Sequence, residues 1–154
     1  TFYFTIPHNP ITNKKTVAGN RIKTKEDSIN LNLNILIAED DESSSEFISI
    51  VVNGYAKEII KARTGTATVE ACRNNPEIDL ILMDIQMPGM NGYEATQQIR
   101  EFNKNVVIIA QTAYGLSGDR EKALDVGCDD YIAKPIKKND LLSLIRKHFS
   151  KQSR

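Results

Sequence analysis

From position 31 onward, the hydrophobic residues of this chain gather into short apolar runs separated by longer segments with helical periodicity. Four strong runs and one weaker run occur, at residues 35–38, 80–83, 106–110, 131–133 and, more weakly, 58–62. Near-continuous apolar runs of this length are typical of strands that are buried on both faces of a parallel sheet. The pattern therefore predicts five buried strands.

The segments between these runs predict five helices. The first carries apolar residues at spacings of three and four from Phe47 to Tyr55, and the last repeats this pattern from Leu141 to Phe149. Two more are marked by the apolar residues at 69–72 and 95–102. A further helix over residues 117–126 is predicted to end at Gly127, a residue suited to a left-handed cap.

Strands that alternate with helices predict an α/β fold built from five βα units. Right-handed crossovers arrange such units into a doubly wound parallel sheet with helices on both faces. The flavodoxin-like strand order 2-1-3-4-5 is the expected one for a (βα)5 chain, and it places strands one and three at the switch point. Ligands of such folds bind in the crevice outside the carboxyl ends of the strands.

Polar residues follow four of the predicted strands at that edge. Glu39 and Asp40 follow the first strand, Asp84 the third, Thr112 the fourth and Lys134 the fifth. Three carboxylates at about 4 Å would repel one another by about 4 kcal/mol per pair at an effective dielectric constant near 20. Lys134 offers only one compensating charge, so the crevice is expected to bind a divalent cation.

An all-oxygen set of few carboxylates with room for water suits Mg²⁺ better than Ca²⁺. Such a site is also suited to a phosphoryl group, because phosphoryl transfer depends mostly on positioning and charge neutralisation. In this interpretation Asp84 is the nucleophile, and Lys134 and Thr112 hold the phosphoryl oxygens.

Composition and charge narrow the possible partners. The 154 residues hold 20 basic and 20 acidic side chains, but residues 31–154 hold fifteen basic against eighteen acidic. An acidic domain argues against a nucleic-acid surface. Cys72 and Cys128 fit no metal-binding spacing and are expected to be reduced, packed thiols in a cytoplasmic protein. No apolar run is long enough for a membrane span, so no membrane contact is expected of these residues.

The first thirty residues differ in composition from the rest. Residues 1–8 alternate and are rich in aromatic and β-branched residues, which is typical of a strand cut from its sheet. Residues 9–30 hold five basic and two acidic residues with few apolar positions, which predicts a flexible linker. We therefore expect a folded domain at 31–150 and a short tail at 151–154, within a longer protein.

The folded segment resembles the receiver domain of two-component response regulators. The resemblance is carried by residues 35–41, 83–92, 112–113 and 130–135, in the order and approximate spacing of that family. It implies that Asp84 accepts a phosphoryl group from a phosphohistidine and that the domain promotes its own phosphorylation and dephosphorylation. It also implies Mg²⁺ bound by Asp40, Asp84, the main-chain carbonyl of Gln86 and, through water, Glu39.

The same resemblance implies a switch. Lys134 would pair with the phosphoryl group, Thr112 would hydrogen-bond to it, and Tyr131 would change rotamer. The face formed by helix 4, strand 5 and helix 5 would rearrange, and it could also form a homodimer. The bond between Lys134 and Pro135 is expected to be cis.

Residues 1–7 resemble the last strand of the ATP-binding domain of histidine kinases, through Phe2, Phe4, Ile6 and Pro7. Together the two resemblances imply the C-terminal part of a hybrid sensor histidine kinase, whose parent chain could be anchored in a membrane by other domains. The expected partners are the kinase domain of the same chain and a histidine phosphotransfer protein.

Functions from other classes fit these residues less well. A phosphatase with an aspartyl nucleophile would need a second carboxylate where Gln86 stands. A nucleotide or flavin module would need a glycine-rich loop where residues 39–42 are all acidic. Acidic residues after a first strand often serve only as helix N-terminal charges. A pseudo-receiver that only docks partners stays open, and a phosphoadduct formed with a small phosphodonor and Mg²⁺ would exclude it.

Overall fold

A computed structural model of the chain describes residues 30–113 and 117–150, without the side chain of Ser117. The predicted kinase remnant at 1–8, all but the last residue of the predicted linker at 9–30, and the tail at 151–154 lie outside the described residues. The described residues from Leu31 onward belong to one compact unit.

The centre of this unit is a five-stranded parallel sheet with the predicted order, β2-β1-β3-β4-β5. Each predicted apolar run corresponds to one of its strands, with the run 106–110 beginning one residue before its strand. The strands are β1 (Leu33–Ala38), β2 (Ala56–Ala62), β3 (Leu80–Asp84), β4 (Val107–Thr112) and β5 (Asp130–Ala133). The fold class predicted from the sequence is confirmed.

Five α-helices alternate with the strands, also as predicted. They are α1 (Glu42–Val52), α2 (Gly65–Asn74), α3 (Gly92–Phe102), α4 (Ser117–Val126) and α5 (Lys138–Phe149), and a short 3₁₀ turn at Asn53–Tyr55 follows α1. At the end of α4, Gly127 adopts a φ of +115°, the left-handed conformation expected of a glycine cap.

Side-chain caps set where three of the helices begin. The Asp41 carboxylate accepts from the Ser44 N–H at 2.8 Å at the start of α1. The Thr64 hydroxyl caps α2, and Asn91 forms a capping box with Glu94 at the start of α3. Among the acidic residues after β1, the helix-capping role therefore belongs to Asp41, which leaves Glu39 and Asp40 for the crevice.

The sheet separates two apolar cores, because successive strand residues point to opposite faces. Leu82 and Ile109 lie in the core beneath α1 and α5, whereas Met83 and Ala110 lie in the core beneath α2, α3 and α4. Burial on both faces explains the near-continuous apolar runs in the sequence. Both cysteines are free and buried, as the sequence predicted.

The two edges of the sheet have different surroundings. The carboxyl edge carries the polar residues predicted to form a site. At the amino edge, Phe149 of α5 lines a groove of ≈ 300 Å³ together with Asp79 and Val106, which lie just before β3 and β4. The last helix therefore ends at the edge where β1 begins. Among the described residues, no helix has the length and apolar character needed to cross a membrane.

Candidate functional site

Three carboxylates meet at the carboxyl edge, where β1 and β3 lie side by side. Each of Glu39, Asp40 and Asp84 offers one oxygen, and these three oxygens all lie within 4.8 Å of one another. Glu39 and Asp84 are each only 2% exposed, and Asp40 is the more open of the three. The fold thus gathers buried negative charge at one point.

Lys134, which follows β5, is the cation of this cluster. Its Nζ lies 2.9 Å from Glu39 Oε2 and 3.3 Å from Asp84 Oδ1. The shorter of the two contacts is with Glu39, a pairing that the sequence did not predict. The peptide bond from Lys134 to Pro135 is cis, as expected. One ammonium against three carboxylates leaves two negative charges without a partner in the cluster.

This imbalance appears in the pKa values of the cluster. Burial first, and then the neighbouring charge of Glu39, raise the pKa of Asp84 from 3.8 to about 7, although Lys134 and the N–H of Gln86 act in the opposite direction. Burial lowers the pKa of Lys134, but its hydrogen bond to Glu39 and the charges of Asp84 and Glu39 outweigh burial, so that the pKa is raised. Asp84 is therefore a carboxylate that needs more positive charge than the protein supplies.

The loop after β3 fixes Asp84 from the main chain. The N–H of Gln86 donates to Asp84 Oδ1 at 3.1 Å, and the Gln86 side chain is exposed. A Cβ on Gly92 would come within 2.5 Å of the Asp84 carbonyl oxygen, so α3 can begin this close to β3 only at a glycine. The Asn91-Gly92 pair, which alone indicates a turn, here sets the distance between α3 and the site.

Thr112 and Tyr131 lie on the two neighbouring strands. Thr112 ends β4, and its buried hydroxyl has no hydrogen-bond partner among the residues that the structure describes. Its carbonyl accepts from the N–H of Lys134 at 2.7 Å, which ties the two strand ends together. Tyr131 is half-buried and packs against the core beneath α2, α3 and α4. The structure thus brings Glu39, Asp40, Asp84 and Lys134 together, and the roles assigned to all these residues stay predictions.

The sequence pattern did not single out two residues that lie near the cluster, Arg63 and Gln111. Arg63, just after β2, donates to the Asp40 carbonyl at 3.2 Å and pairs with Glu42 at 2.7 Å. It could have been found by the same strand-end rule. Gln111 is fully buried one position before Thr112, and its signal was a polar residue directly after the apolar run 106–110.

An apolar groove opens beside Lys134. It has a volume of ≈ 330 Å³ and lies between the start of α1 and the loop before α5, lined chiefly by Ser44, Phe47, Ile48, Pro135 and Ile136. On α1, Phe47 is 45% exposed and Ile50 is 69% exposed. The acidic cluster therefore borders an exposed apolar surface.

Comparison with known proteins identifies the family. The model of the response regulator receiver domain matches residues 35–146, which include the whole cluster. The chain belongs to the response regulator receiver domains. The receiver fold accounts for the five βα units, and the match agrees with the resemblance found in the sequence.

Similar proteins include both hybrid kinases and a response regulator. The receiver is 40% identical over 121 residues to hybrid signal transduction histidine kinase G of Dictyostelium discoideum. The matched region covers 75% of this chain and 4% of that protein. It is 32% identical over 124 residues to the histidine-protein kinase BarA of Escherichia coli, covering 79% of this chain and 13% of BarA. With the polar-differentiation response regulator DivK of Brucella ovis the identity is 34%, over 66% of this chain and 84% of DivK. The chain therefore spans only a small part of these kinases.

Solved structures share the fold. A chain in the co-crystal structure of the Saccharomyces cerevisiae histidine phosphotransfer protein Ypd1 and the receiver domain of Ssk1 is 29% identical, with a TM-score of 0.76, and the match covers 82% of this chain and 94% of that one. A chain in the CheX-CheY-BeF3-Mg²⁺ complex of Borrelia burgdorferi is 28% identical, with a TM-score of 0.72, covering 76% and 89%.

Proposed function

We propose that this receiver accepts a phosphoryl group on Asp84 from a phosphohistidine, in a reaction that requires Mg²⁺. The observation that carries the proposal is the buried Asp84 carboxylate, which lies in contact with Lys134 and beside two further carboxylates. In the transfer, an Asp84 oxygen bonds to phosphorus, the bond from phosphorus to the histidine nitrogen breaks, and its electron pair returns to the imidazole.

The donor set suits a magnesium ion. The cluster offers only oxygen ligands and carries two negative charges beyond those that Lys134 balances. Asp40, Asp84 and the Gln86 carbonyl would hold the ion directly, and Glu39 would hold it through water. When bound, Mg²⁺ neutralises charge on the phosphoryl oxygens and so favours the attack by a carboxylate.

Lys134 and Thr112 would hold the transferred group. A phosphorylated aspartate carries a charge of about −2 and additional acceptor oxygens. Lys134 already contacts Asp84, and it would shift from Glu39 towards the phosphoryl oxygens. The Thr112 hydroxyl is buried without a partner in the described part of the chain, so it is free to donate to the same group.

The movement of Thr112 would reach the surface through α4. Residues 114–116, which link Thr112 to this helix, lie outside the described residues, and Tyr131 lies on the strand that follows it. We propose that Tyr131 changes rotamer and that the face of α4, β5 and α5 is the regulated surface, where a homodimer would also form.

We propose that the partner whose histidine exchanges the phosphoryl group with Asp84 docks in the groove between α1 and the loop before α5. The groove is apolar, it carries the exposed Phe47, and it ends at Lys134, the residue that contacts Asp84. A helical histidine phosphotransfer protein could cover Phe47 and present its histidine to Asp84. The solved complex of Ypd1 with the Ssk1 receiver supports this class of partner.

The wider context is also a proposal. The similarity to hybrid kinases favours a parent chain in which a kinase domain precedes this receiver, in a cytoplasmic part of the protein. The kinase domain of the same chain would then be one phosphodonor, and a histidine phosphotransfer protein would receive the phosphoryl group. The predicted kinase remnant at residues 1–8 agrees with this arrangement.

Intact mass spectrometry after treatment with acetyl phosphate and Mg²⁺ tests the proposal. We expect the protein to gain one phosphoryl group, and we expect none on Asp84→Asn or when Mg²⁺ is chelated. Asp41→Asn is the matched control, because it removes a nearby carboxylate and keeps a side chain that can cap α1. If the parent protein gains no phosphoryl group, the receiver acts only as a docking module.

A further inference from the structure

Gln111 is a polar residue in a buried environment that gives its amide no hydrogen-bond partner among the described residues. The residue lies in β4, is 0% exposed, and neither its amide nitrogen nor its amide oxygen has a hydrogen-bond partner in the described part of the chain. Burying an amide without partners costs free energy that an apolar side chain of similar size would not cost. A position that requires only packing would favour leucine or methionine.

The strand register places Gln111 beside the phosphoacceptor. It pairs with Asp84 on β3 and with Ile132 on β5. Laterally paired residues of neighbouring strands point to the same face, as the division of the two cores shows for Leu82 with Ile109. Gln111 and Asp84 therefore lie in one row on the α1 and α5 side of the sheet.

The rest of this row offers the amide no polar partner. Leu82, Ile109 and Ile132, which surround Gln111 on the same face of β3, β4 and β5, are buried and apolar. Lys134 comes directly after β5, and its Nζ reaches Asp84. The register thus places Asp84 beside Gln111, and Lys134 contacts Asp84.

The hydrogen-bonding groups of the Gln111 amide complement those of Asp84 and Lys134. A glutamine amide offers two N–H donors and one oxygen acceptor, whereas a carboxylate only accepts and an ammonium only donates. The Lys134 ammonium has three N–H donors, and it contacts Glu39 and Asp84, which leaves one donor for a further acceptor. One amide can therefore serve both members of the pair.

We propose that Gln111 is a positioning residue of the phosphoryl site. Once Asp84 is phosphorylated and Lys134 shifts, the Gln111 NH₂ group donates to the Asp84 carboxyl group and the amide oxygen accepts from Lys134. The structure holds neither contact. This inference rests on the proposed function, and it adds a determinant of how long the phosphorylated form of Asp84 lasts.

The direction of the effect follows from the hydrolysis step. The oxygen of a water molecule bonds to phosphorus, the bond from phosphorus to the Asp84 oxygen breaks, and its electron pair returns to the carboxylate, while the proton leaves with the phosphate. A donor on the Asp84 carboxyl group stabilises the charge that develops there. Gln111 therefore shortens the lifetime of the phosphorylated form.

Replacing the amide tests this role. We expect Gln111→Met to lengthen the lifetime of the phosphorylated receiver about fivefold, the factor that one net hydrogen bond supplies. The lifetime is measured by intact mass after gel filtration removes acetyl phosphate. Ile109→Met is the matched control, because it changes a buried side chain on the same face of the same strand and no polar group. Gln111→Leu replaces the first variant if that variant does not fold.

A spectroscopic measurement on the parent protein separates positioning from packing. The side-chain NH₂ resonances of Gln111 are assigned by their loss in Gln111→Met, and they should shift when beryllofluoride and Mg²⁺ are added to the parent but not to Asp84→Asn. Resonances that stay in place, or a lifetime unchanged or shortened in Gln111→Met, would overturn the inference. A parent protein that gains no phosphoryl group at all would instead reject the proposed function.

Discussion

At the scale of single residues, Asp84 is held in a state that is unfavourable for a carboxylate. It is buried, a second buried carboxylate lies beside it, and the Lys134 ammonium that contacts it is shared with Glu39. Removing charge from water without full pairing costs free energy. Asp84 therefore opposes folding while it is ionised.

The pH dependence of stability should show this cost. The pKa of Asp84 is about 7 in the folded protein against 3.8 as its ordinary value, so the folded state binds more protons between these values. In the Mg²⁺-free protein, the stabilisation from protonated Asp84 is present near pH 4 and is lost as the pH rises through 7. At pH 8 we expect Asp84→Asn to raise the free energy of unfolding by about 2–4 kcal/mol.

Urea unfolding of the parent protein and of Asp84→Asn at pH 5.5 and pH 8 measures this difference in the free energy of unfolding, which should be larger at pH 8. Asp125→Asn, which changes an exposed carboxylate on α4, is the control and should alter stability by less than about 0.5 kcal/mol. An equal stability of Asp84→Asn and the parent protein at pH 8 would contradict the expected cost of the buried charge.

The sequence could predict which residues approach one another at the site, because each follows an apolar run and parallel strands end at one edge. It could not predict that Lys134 lies closer to Glu39 than to Asp84, since that depends on side-chain rotamers across the crevice. Nor did it identify Gln111, because periodicity assigns a residue to a face of a strand and does not show whether its polar atoms find partners.

At the scale of elements, α4 is held to the domain at one end. Ala123 is fully buried, but Leu124 is 37% exposed and Val126 is only half-buried. Lys122 lies 4.6 Å from the ring centre of Tyr93, a contact between side chains near the surface. The firm attachment comes after the helix, where Arg100 of α3 donates to the Gly127 carbonyl at 2.9 Å.

Arg100 joins three segments through one guanidinium group. Besides Gly127, it donates to the carbonyls of Val106 at 2.8 Å and Asn103 at 3.2 Å, and it pairs with Asp129 at 2.9 Å. Because the first three acceptors are main-chain groups that would lose a charged donor, we expect Arg100→Leu to lower the free energy of unfolding by about 2–4 kcal/mol.

The control for this variant is Arg73→Leu, and both are measured by urea unfolding at neutral pH. Arg73 is exposed and lies 4.7 Å from the ring centre of Phe102, so its loss should cost about 1 kcal/mol or less. Equal effects of the two substitutions would show that Arg100 does not join the segments. The sequence could not indicate Arg100, because its four partners come together only in the folded chain.

At the scale of the whole molecule, the two helical layers are unequal in how firmly they pack. The layer with α1 and α5 buries large side chains such as Ile48, Val52, Leu141 and Ile145, whereas the part of the other layer formed by α4 buries one alanine completely. Elements with few buried apolar contacts open and shift at the lowest free-energy cost. The domain should therefore respond to phosphorylation on one side only.

Hydrogen exchange tests this response. We expect beryllofluoride with Mg²⁺ to change the exchange of amides in α4 and β5 and to leave those of α1 nearly unchanged. The reason is that α4 is loosely packed and contacts β5, whereas α1 is firmly packed. Asp84→Asn supplies the control, since it should not respond to the same additions. A change confined to α1 would reject α4 as the regulated element.

The start of β1 and the end of α5 determine where the domain can be attached to a support. β1 starts, and α5 stops, at the amino edge of the sheet, opposite the edge that carries Asp84. A dye, affinity handle or solid support attached after Phe149 would thus leave the acidic crevice facing outward. Surface-immobilised forms of this domain should still accept a phosphoryl group from acetyl phosphate, which releases acetate, so attachment at that end suits direct measurement of donor association.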